Sequence, residues 1–323
     1  LGVARARGDA SSETTVIVGG GARAFAGLVA PALGQALLSR IVFDQTGGLD
    51  GVTAANTFEA QANPDGNTAL MVPGEAALAW LAGDPRVHFD AGLWVPALAA
   101  VAPAVLVGRT PIDRLRSGDV VRLAASSPAG CELPALLGLD LLGLRTAPVF
   151  NLRLEADKTT ALRDGAVDAI LLTGRDVPAR LARLEAAGFA AMFALGAPDI
   201  GPSASRDPAL PRVETFDELM LRATGHTPRG PLAPAFRASS AAAQLDAALV
   251  LPQLAPPGIV ARWRAACGSA GASPTVQGGA DAASIRPLAA PACVTAVSAV
   301  LAGETAMLDL HRFLADRFGW NPV

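Results

Sequence analysis

Residues Thr15–Leu38 read TVIVGGGARAFAGLVAPALGQALL, and this stretch decides the fold. Val16, Ile17 and Val18 predict a buried strand, and Gly19, Gly20 and Gly21 a turn. Phe25, Leu28, Val29, Ala32 and Ala36 then mark one apolar face of a helix. Three successive glycines let backbone N–H groups approach a ligand without Cβ obstruction, and the helix turns its unpaired amides and positive dipole end to the same spot. Such a unit favours an anion. A second unit follows: a short apolar strand over Arg40–Asp44 (RIVFD), a glycine turn over Gln45–Gly51 (QTGGLDG) and helical spacing over Val52–Gln61. If the two strands are parallel neighbours, both turns share the carboxyl edge of one sheet, where open α/β sheets place ligands.

The chain has 323 residues, 51% of them hydrophobic, enough for two lobes with cores of their own. Net charge is −3 and charged residues make up 17% without any block of like charge, so a nucleic-acid partner is not expected. No uninterrupted apolar run reaches the length of a membrane span. The opening residues, LGVARARGDASSET, are polar and lack the apolar core of a signal peptide; they read as the start of a mature or trimmed product, and a cytosolic chain would start the same way. Cys267 and Cys293 flank a Gly/Ala/Ser/Pro-rich stretch, which a disulfide between them would hold in order; the alternative is two small buried thiols, with Cys131 left over in either case.

Further along, Asn63–Gly66 is a turn, Thr68–Val72 a third buried strand, and Gly74 and Glu75 a third loop on the same edge. The apolar segment after Leu93 ends in a strand over 104–107, and a break at Gly108–Gly118 reads as a crossing into another lobe. There strand–loop–helix alternation restarts: strands over 120–124, 146–150 and 166–172, helices over 132–142 and 158–164, an Ala125–Gly130 loop (ASSPAG), and Thr173–Asp176 closing the third strand. A helix over 177–187, a strand over 190–195, a loop over 196–211 and a helix over 216–223 follow. Thr224–Ser240 shows no clear period and reads as an insertion or lobe connection; the chain closes with a strand over 247–251, a helix over 258–266, the cysteine-flanked loop and two helical stretches.

In order and spacing these signals resemble one family, the solute receptors of tripartite tricarboxylate transporters, often called Bug proteins. The matching features run from about Thr15 to Arg264. They are the first strand with its Gly-Gly turn and a helix containing Leu-Val-Ala-Pro-Ala-Leu (Leu28–Leu33), the second Gly-Gly turn, and Asn63-Pro-Asp-Gly-Asn-Thr-Ala-Leu. The Ser126-Ser127 loop, Leu162-Arg-Asp-Gly-Ala-Val-Asp168 and Asp207-Pro-Ala-Leu-Pro-Arg-Val-Glu-Thr-Phe complete them. The resemblance implies an α/β, two-lobe periplasmic-binding-protein (Venus flytrap) fold, each lobe a mostly parallel sheet flanked by helices: residues 1–107 and 244–323 form lobe one, residues 108–243 lobe two. It further implies a periplasmic, monomeric, non-enzymatic receptor without a cofactor, which captures a small carboxylate between its lobes for a membrane transporter or sensor. Carried across, the ligand-binding positions are Gly20, Gly21 and Ala22 of the first turn, Gly47, Gly48 and Leu49 of the second, and Ser126, Ser127, Gly130 and Thr173 of lobe two. Arg23 stands where the family usually has an Asp, and Leu172 where a further Asp is often found.

Arg23 has two readings, a planar fork for a guest carboxylate or a solvated arginine in a first helical turn. Glu75 is a structural acid or one that selects an amine. A rival reading of the whole chain is a Rossmann-type dinucleotide-binding oxidoreductase: Gly19-Gly20-Gly21-Ala22-Arg23-Ala24 fits G-x-G-x-x-A directly after a strand, and Asp44 lies at the end of strand two, where a ribose-binding acid belongs. Hydrolase signatures are missing, and His88, His226 and His311 fall in unrelated contexts without metal-ligand spacing.

Overall fold

The computed structural model describes residues 12–197 and 204–321. Residues 1–11 of the polar start and residues 198–203 of the predicted 196–211 loop lie outside the described residues. In chain order the first half runs β1 (Ser12–Val18), α1 (Arg23–Leu37), β2 (Ser39–Gln45), α2 (Val52–Gln61), β3 (Thr68–Val72), α3 (Gly74–Leu81), β4 (Val95–Val101), β5 (Val105–Gly108), β6 (Val120–Ala124), α4 (Leu133–Leu141), β7 (Arg145–Val149) and α5 (Glu155–Arg163). The second half runs β8 (Ala169–Leu172), α6 (Val177–Ala186), β9 (Ala190–Ala194), α7 (Phe216–Thr224), α8 (Leu232–Gln244), β10 (Leu245–Leu251), α9 (Pro257–Gly271), α10 (Pro274–Ala282), β11 (Arg286–Ala289), α11 (Ala292–Ser298) and α12 (Glu304–Phe318).

The strands form two sheets, one in the order β11-β4-β10-β3-β1-β2 and the other β7-β6-β8-β5-β9. The strand–turn–helix units make the parallel part of each sheet: β1 pairs in parallel with β2 and β3, and β6 with β7 and β8. Antiparallel strands complete both sheets, so each is mixed: β3-β10-β4-β11 in the first, and β8-β5-β9 in the second. Together they make the two-lobe α/β fold that the resemblance implies, but neither sheet is mostly parallel as expected, because β10, β4 and β11 in the first and β5 and β9 in the second join antiparallel.

Packing follows the apolar spacing. Phe25, Ala26, Val29, Leu33 and Leu37 form the buried stripe of α1 beside the first sheet. In α7, Thr215 and Glu218 form a reciprocal capping box, which satisfies two amides of the helix start. One apolar core runs from the first sheet into the second through α3, α4, α8 and α12, joining Leu78, Leu136, Ala238 and Leu310. The two sheets are therefore joined behind their facing edges by packed helices rather than by linkers alone.

The expected disulfide is absent. Cys267 in α9 and Cys293 in α11 are free and buried, and Cys131 is also free. The stretch between Cys267 and Cys293 keeps its order by other means. Ser273 caps α10 with Pro274 at its first position, Val276 and Ala280 are buried, and β11 pairs with β4. No helix among the described residues is long and apolar enough to cross a membrane.

Candidate functional site

The ends of β1, β2 and β3 lie on one edge of the first sheet, and the start of β10 reaches the same edge because β10 runs antiparallel beside β3, Ala248 opposite Val72. The end of β8 marks the corresponding edge of the second sheet. A salt bridge joins the two, Arg175 Nη2 to Asp246 Oδ2 at 3.2 Å, and the Asp176 amide donates to Ala283 O at 3.0 Å. The carboxyl edges therefore face each other. Behind them the chain passes between the sheets at residues 102–104 and again at 244–245, and these crossings are tied by Ala102 N–H to Gln244 O at 2.8 Å. Paired crossings of this kind are where a hinge belongs.

The structure brings the two predicted glycine turns together, in a way the sequence did not indicate. The Gly20 amide donates to Gly48 O and the Gly21 amide to Leu49 O, both at 3.0 Å, while Gly19 donates to Met71 O and Ala22 to Gly19 O. The glycines serve close approach: a Cβ on Gly20 would lie 2.9 Å from Gly48 O, and one on Gly21 2.8 Å from Leu49 O. This alters the role expected for the first turn. Gly20, Gly21 and Ala22 spend their amides inside the protein and Ala22 is fully buried, so none of the three offers an N–H to a guest here. A dinucleotide pyrophosphate would need those same amides, and Asp44 is left an exposed residue on β2. The free donors of this edge belong to the second turn: the amides of Gly47, Gly48 and Leu49 have no partner among the described residues, and Gly48 has a φ of 85°. Beside them Arg23, exposed at the start of α1, donates from Nη2 to Gln45 Oε1 at the end of β2.

On the second sheet the Ser126 loop is also engaged. Glu132, fully buried at the start of α4, accepts from the Ser126 amide at 3.1 Å and from Ser126 Oγ at 2.9 Å through Oε2. Its Oε1 takes Lys158 Nζ and, at 3.1 Å, Cys131 Sγ. Gly130 closes the loop by donating to Ser127 O at 3.2 Å, and a Cβ there would run into Ser126 Oγ. The Ser127 and Thr173 hydroxyls have no partner among the described residues, although Thr173 O accepts from Arg180 Nη2. Burial works to raise the Glu132 carboxyl, but Lys158, helped by Ser126 and Cys131, outweighs it and holds the acid below the usual carboxylate range. Lys158, only 5% exposed, is likewise held above its ordinary value by its neighbours in spite of burial.

Glu75 occupies the first turn of α3 on the facing edge. Burial pushes its carboxyl up to about 7; Asp246 and Glu132 add to this, while its own amide and Lys158 oppose it. The native protein therefore holds a proton on Glu75 between about pH 4.5, its ordinary value, and about pH 7, where the unfolded chain does not. Stability carried by Glu75 is full below 4.5 and is lost as pH rises toward 7. Urea midpoints of Glu75→Gln across this window should show that downward slope flattened; an unchanged slope would clear Glu75 of the role.

The residues that sequence reasoning missed are Glu132, Lys158, Asp246 and Arg175. One signal was available: Lys158 is the only lysine among 26 basic residues.

The fold is the two-lobe α/β fold seen in solved TctC and Bug-type solute-binding proteins. No family model matches the sequence, and no curated protein is detectably similar to it. Among solved structures the chain is similar to a TctC solute-binding protein from Polaromonas, at 13% identity and a TM-score of 0.68 over 95% of this chain and 99% of that one. It is also similar to MatC from Rhodopseudomonas palustris with bound malate, at 20% identity and a TM-score of 0.58 over 93% and 98% of the two chains. A third similar structure, an R. palustris protein with adipate, shares 16% identity at a TM-score of 0.58 over 97% and 99%.

Proposed function

We propose that this chain is a periplasmic solute receptor that binds a small organic acid between two lobes, residues 1–107 with 244–323 and residues 108–243, and releases it unchanged. On this reading it works as a monomer and hands its guest to a tripartite tricarboxylate-type transporter or reports it to a sensor. The observation that carries the proposal is the set of unpaired amides at Gly47, Gly48 and Leu49, next to Arg23, on a sheet edge opposed by a second sheet edge. Unpaired N–H donors beside a guanidinium suit a carboxylate. Malate and adipate in two proteins of the same fold support an acid as the guest. Ser127 and Thr173 are the hydroxyls that lobe two would offer. Gly20, Gly21 and Ala22 would shape the second turn without touching the guest, and Ser126 and Gly130 would shape the opposite wall.

A thermal-shift screen of organic acids tests this. An acid at 100 times its Kd should add about 2.7 kcal/mol of stability. Arg23→Ala should weaken the best acid about tenfold, close to the worth of one charge-assisted hydrogen bond. Unchanged affinity would remove Arg23 from the site, and a screen in which no acid shifts the melt would count against the receptor itself.

A further inference from the structure

The Ser126 loop is an anion cradle with a carboxylate already in it. A backbone N–H, a hydroxyl, a thiol and an ammonium converge on the two oxygens of one acid group: Ser126 N at 3.1 Å, Ser126 Oγ at 2.9 Å, Cys131 Sγ at 3.1 Å, and Lys158 Nζ. This is the donor set that a buried site would present to a guest carboxylate. The acid that fills it is Glu132, from the protein itself, with its side chain fully buried and that of Lys158 6% exposed. Two further cations of this face are engaged as well, Arg175 by Asp246 and Arg180 by Glu155 and Thr173 O. Glu75 adds a further acid within electrostatic reach of Glu132, Lys158 and Asp246.

We infer that Glu132 is a resident carboxylate that stands in for an acid group of the guest, so that lobe two excludes a second carboxylate and the receptor selects monocarboxylates over diacids. The selectivity rests on the receptor function proposed above; the filled cradle does not. A diacid held by one end at Gly47, Gly48 and Leu49 would carry its far end toward the acids Glu75, Glu132 and Asp246, whose cations Lys158 and Arg175 are already paired. A monoacid brings an uncharged end, for which the Ser127 and Thr173 hydroxyls remain.

Two measurements test this separately. The first is calorimetric titration of the whole chain with hexanoate and adipate, six-carbon acids that differ in the second carboxylate. Hexanoate should bind at least about tenfold more tightly. Equal affinity, or a preference for adipate, overturns the selectivity. The second is the melting of Glu132→Ala in sodium formate against sodium chloride of equal ionic strength and against formamide. Formate should raise the melting temperature saturably, with no such effect in wild type or in Glu132→Gln, whose side chain still fills the slot. No formate-specific gain overturns the cradle. If Glu132→Ala folds only when refolded in formate, the cradle is supported; if it folds in neither salt, the cradle takes no free carboxylate and the inference falls. Should neither acid bind wild type while formate rescues the variant, the selectivity falls and the cradle stands, and the receptor function is judged by the acid screen above.

Discussion

Lys158→Ala is expected to lower the unfolding free energy by about 3–5 kcal/mol, because it leaves the fully buried Glu132 carboxylate without its counter-ion. The loss arises chiefly from the stranded charge, so Lys158→Met combined with Glu132→Leu should recover most of it. Urea unfolding followed by circular dichroism measures both. The sign of the pH dependence separates this pair from Glu75. Glu132 is held below its ordinary value, so its contribution is full above about pH 4.5 and is lost as pH falls through the lower folded value. Lys158 is held above its ordinary value, so its contribution is full below about pH 10.5 and is lost as pH rises beyond it. The pair thus gives a plateau from about pH 4.5 to about 10.5, and the Glu75 decline falls in the part of that window below about pH 7. A Lys158→Ala loss below about 1 kcal/mol, the ordinary range of exposed pairs, would show that the pair is solvated.

Gly74→Ala should cost about 3 kcal/mol or more, the upper range for overpacking. An added Cβ would run into Ala242 O at the end of α8 and approach Leu245 Cβ to 2.9 Å. Neither neighbour can give way cheaply, since the first is backbone and the second begins β10 at the crossing between the sheets. The start of α3 would have to move away from α8, disturbing the crossing between the sheets as well as the core. Gly27→Ala is the control: Gly27 lies exposed within α1, its added Cβ meets nothing within 4 Å, and the change should stabilise by about 0.5–1 kcal/mol. Equal effects of the two substitutions in chemical denaturation would contradict the close helix contact.

Elements with clean periodicity and turn punctuation were legible in the sequence. The predicted helix over 52–61 coincides with α2, the third strand with β3, and the restart at Val120 with β6. β4 was hidden because VPALAAV is almost wholly buried, so it shows no alternation, and Pro96 argues locally against a strand. α8 was hidden in a stretch rich in Pro and Gly. It carries Pro234 and two serines, Ser239 and Ser240, and its helix is fixed by packing against α3 and α4 rather than by propensity. α10 did announce itself through Ser273 and Pro274, a cap and a first-turn proline, but its small residues gave the impression of a loop that needed a disulfide.

For the site, sequence reasoning located the loops and not their bonding. Gly20 and Gly48 were placed on one edge correctly, yet the bonds from the first turn to the carbonyls of Gly48 and Leu49 depend on how close two neighbouring turns come, which spacing does not encode. Ser126 and Glu132 are six positions apart and could have been linked; Lys158, a further 26 positions on, meets them only because α5 packs beside the second sheet. Glu75 reads in the sequence as a structural or amine-selecting acid, and its neighbours Asp246, Glu132 and Lys158 are brought to it by the fold.

The most direct measurement is a crystal structure grown with the tightest acid from the thermal-shift screen. The account predicts that acid between the two sheet edges, its carboxylate accepting from the Gly47, Gly48 and Leu49 amides, with Glu132 still bound to Ser126 and Lys158. An acid seated away from the Gly48 turn, or one whose carboxylate displaces Glu132 from Ser126, would contradict it.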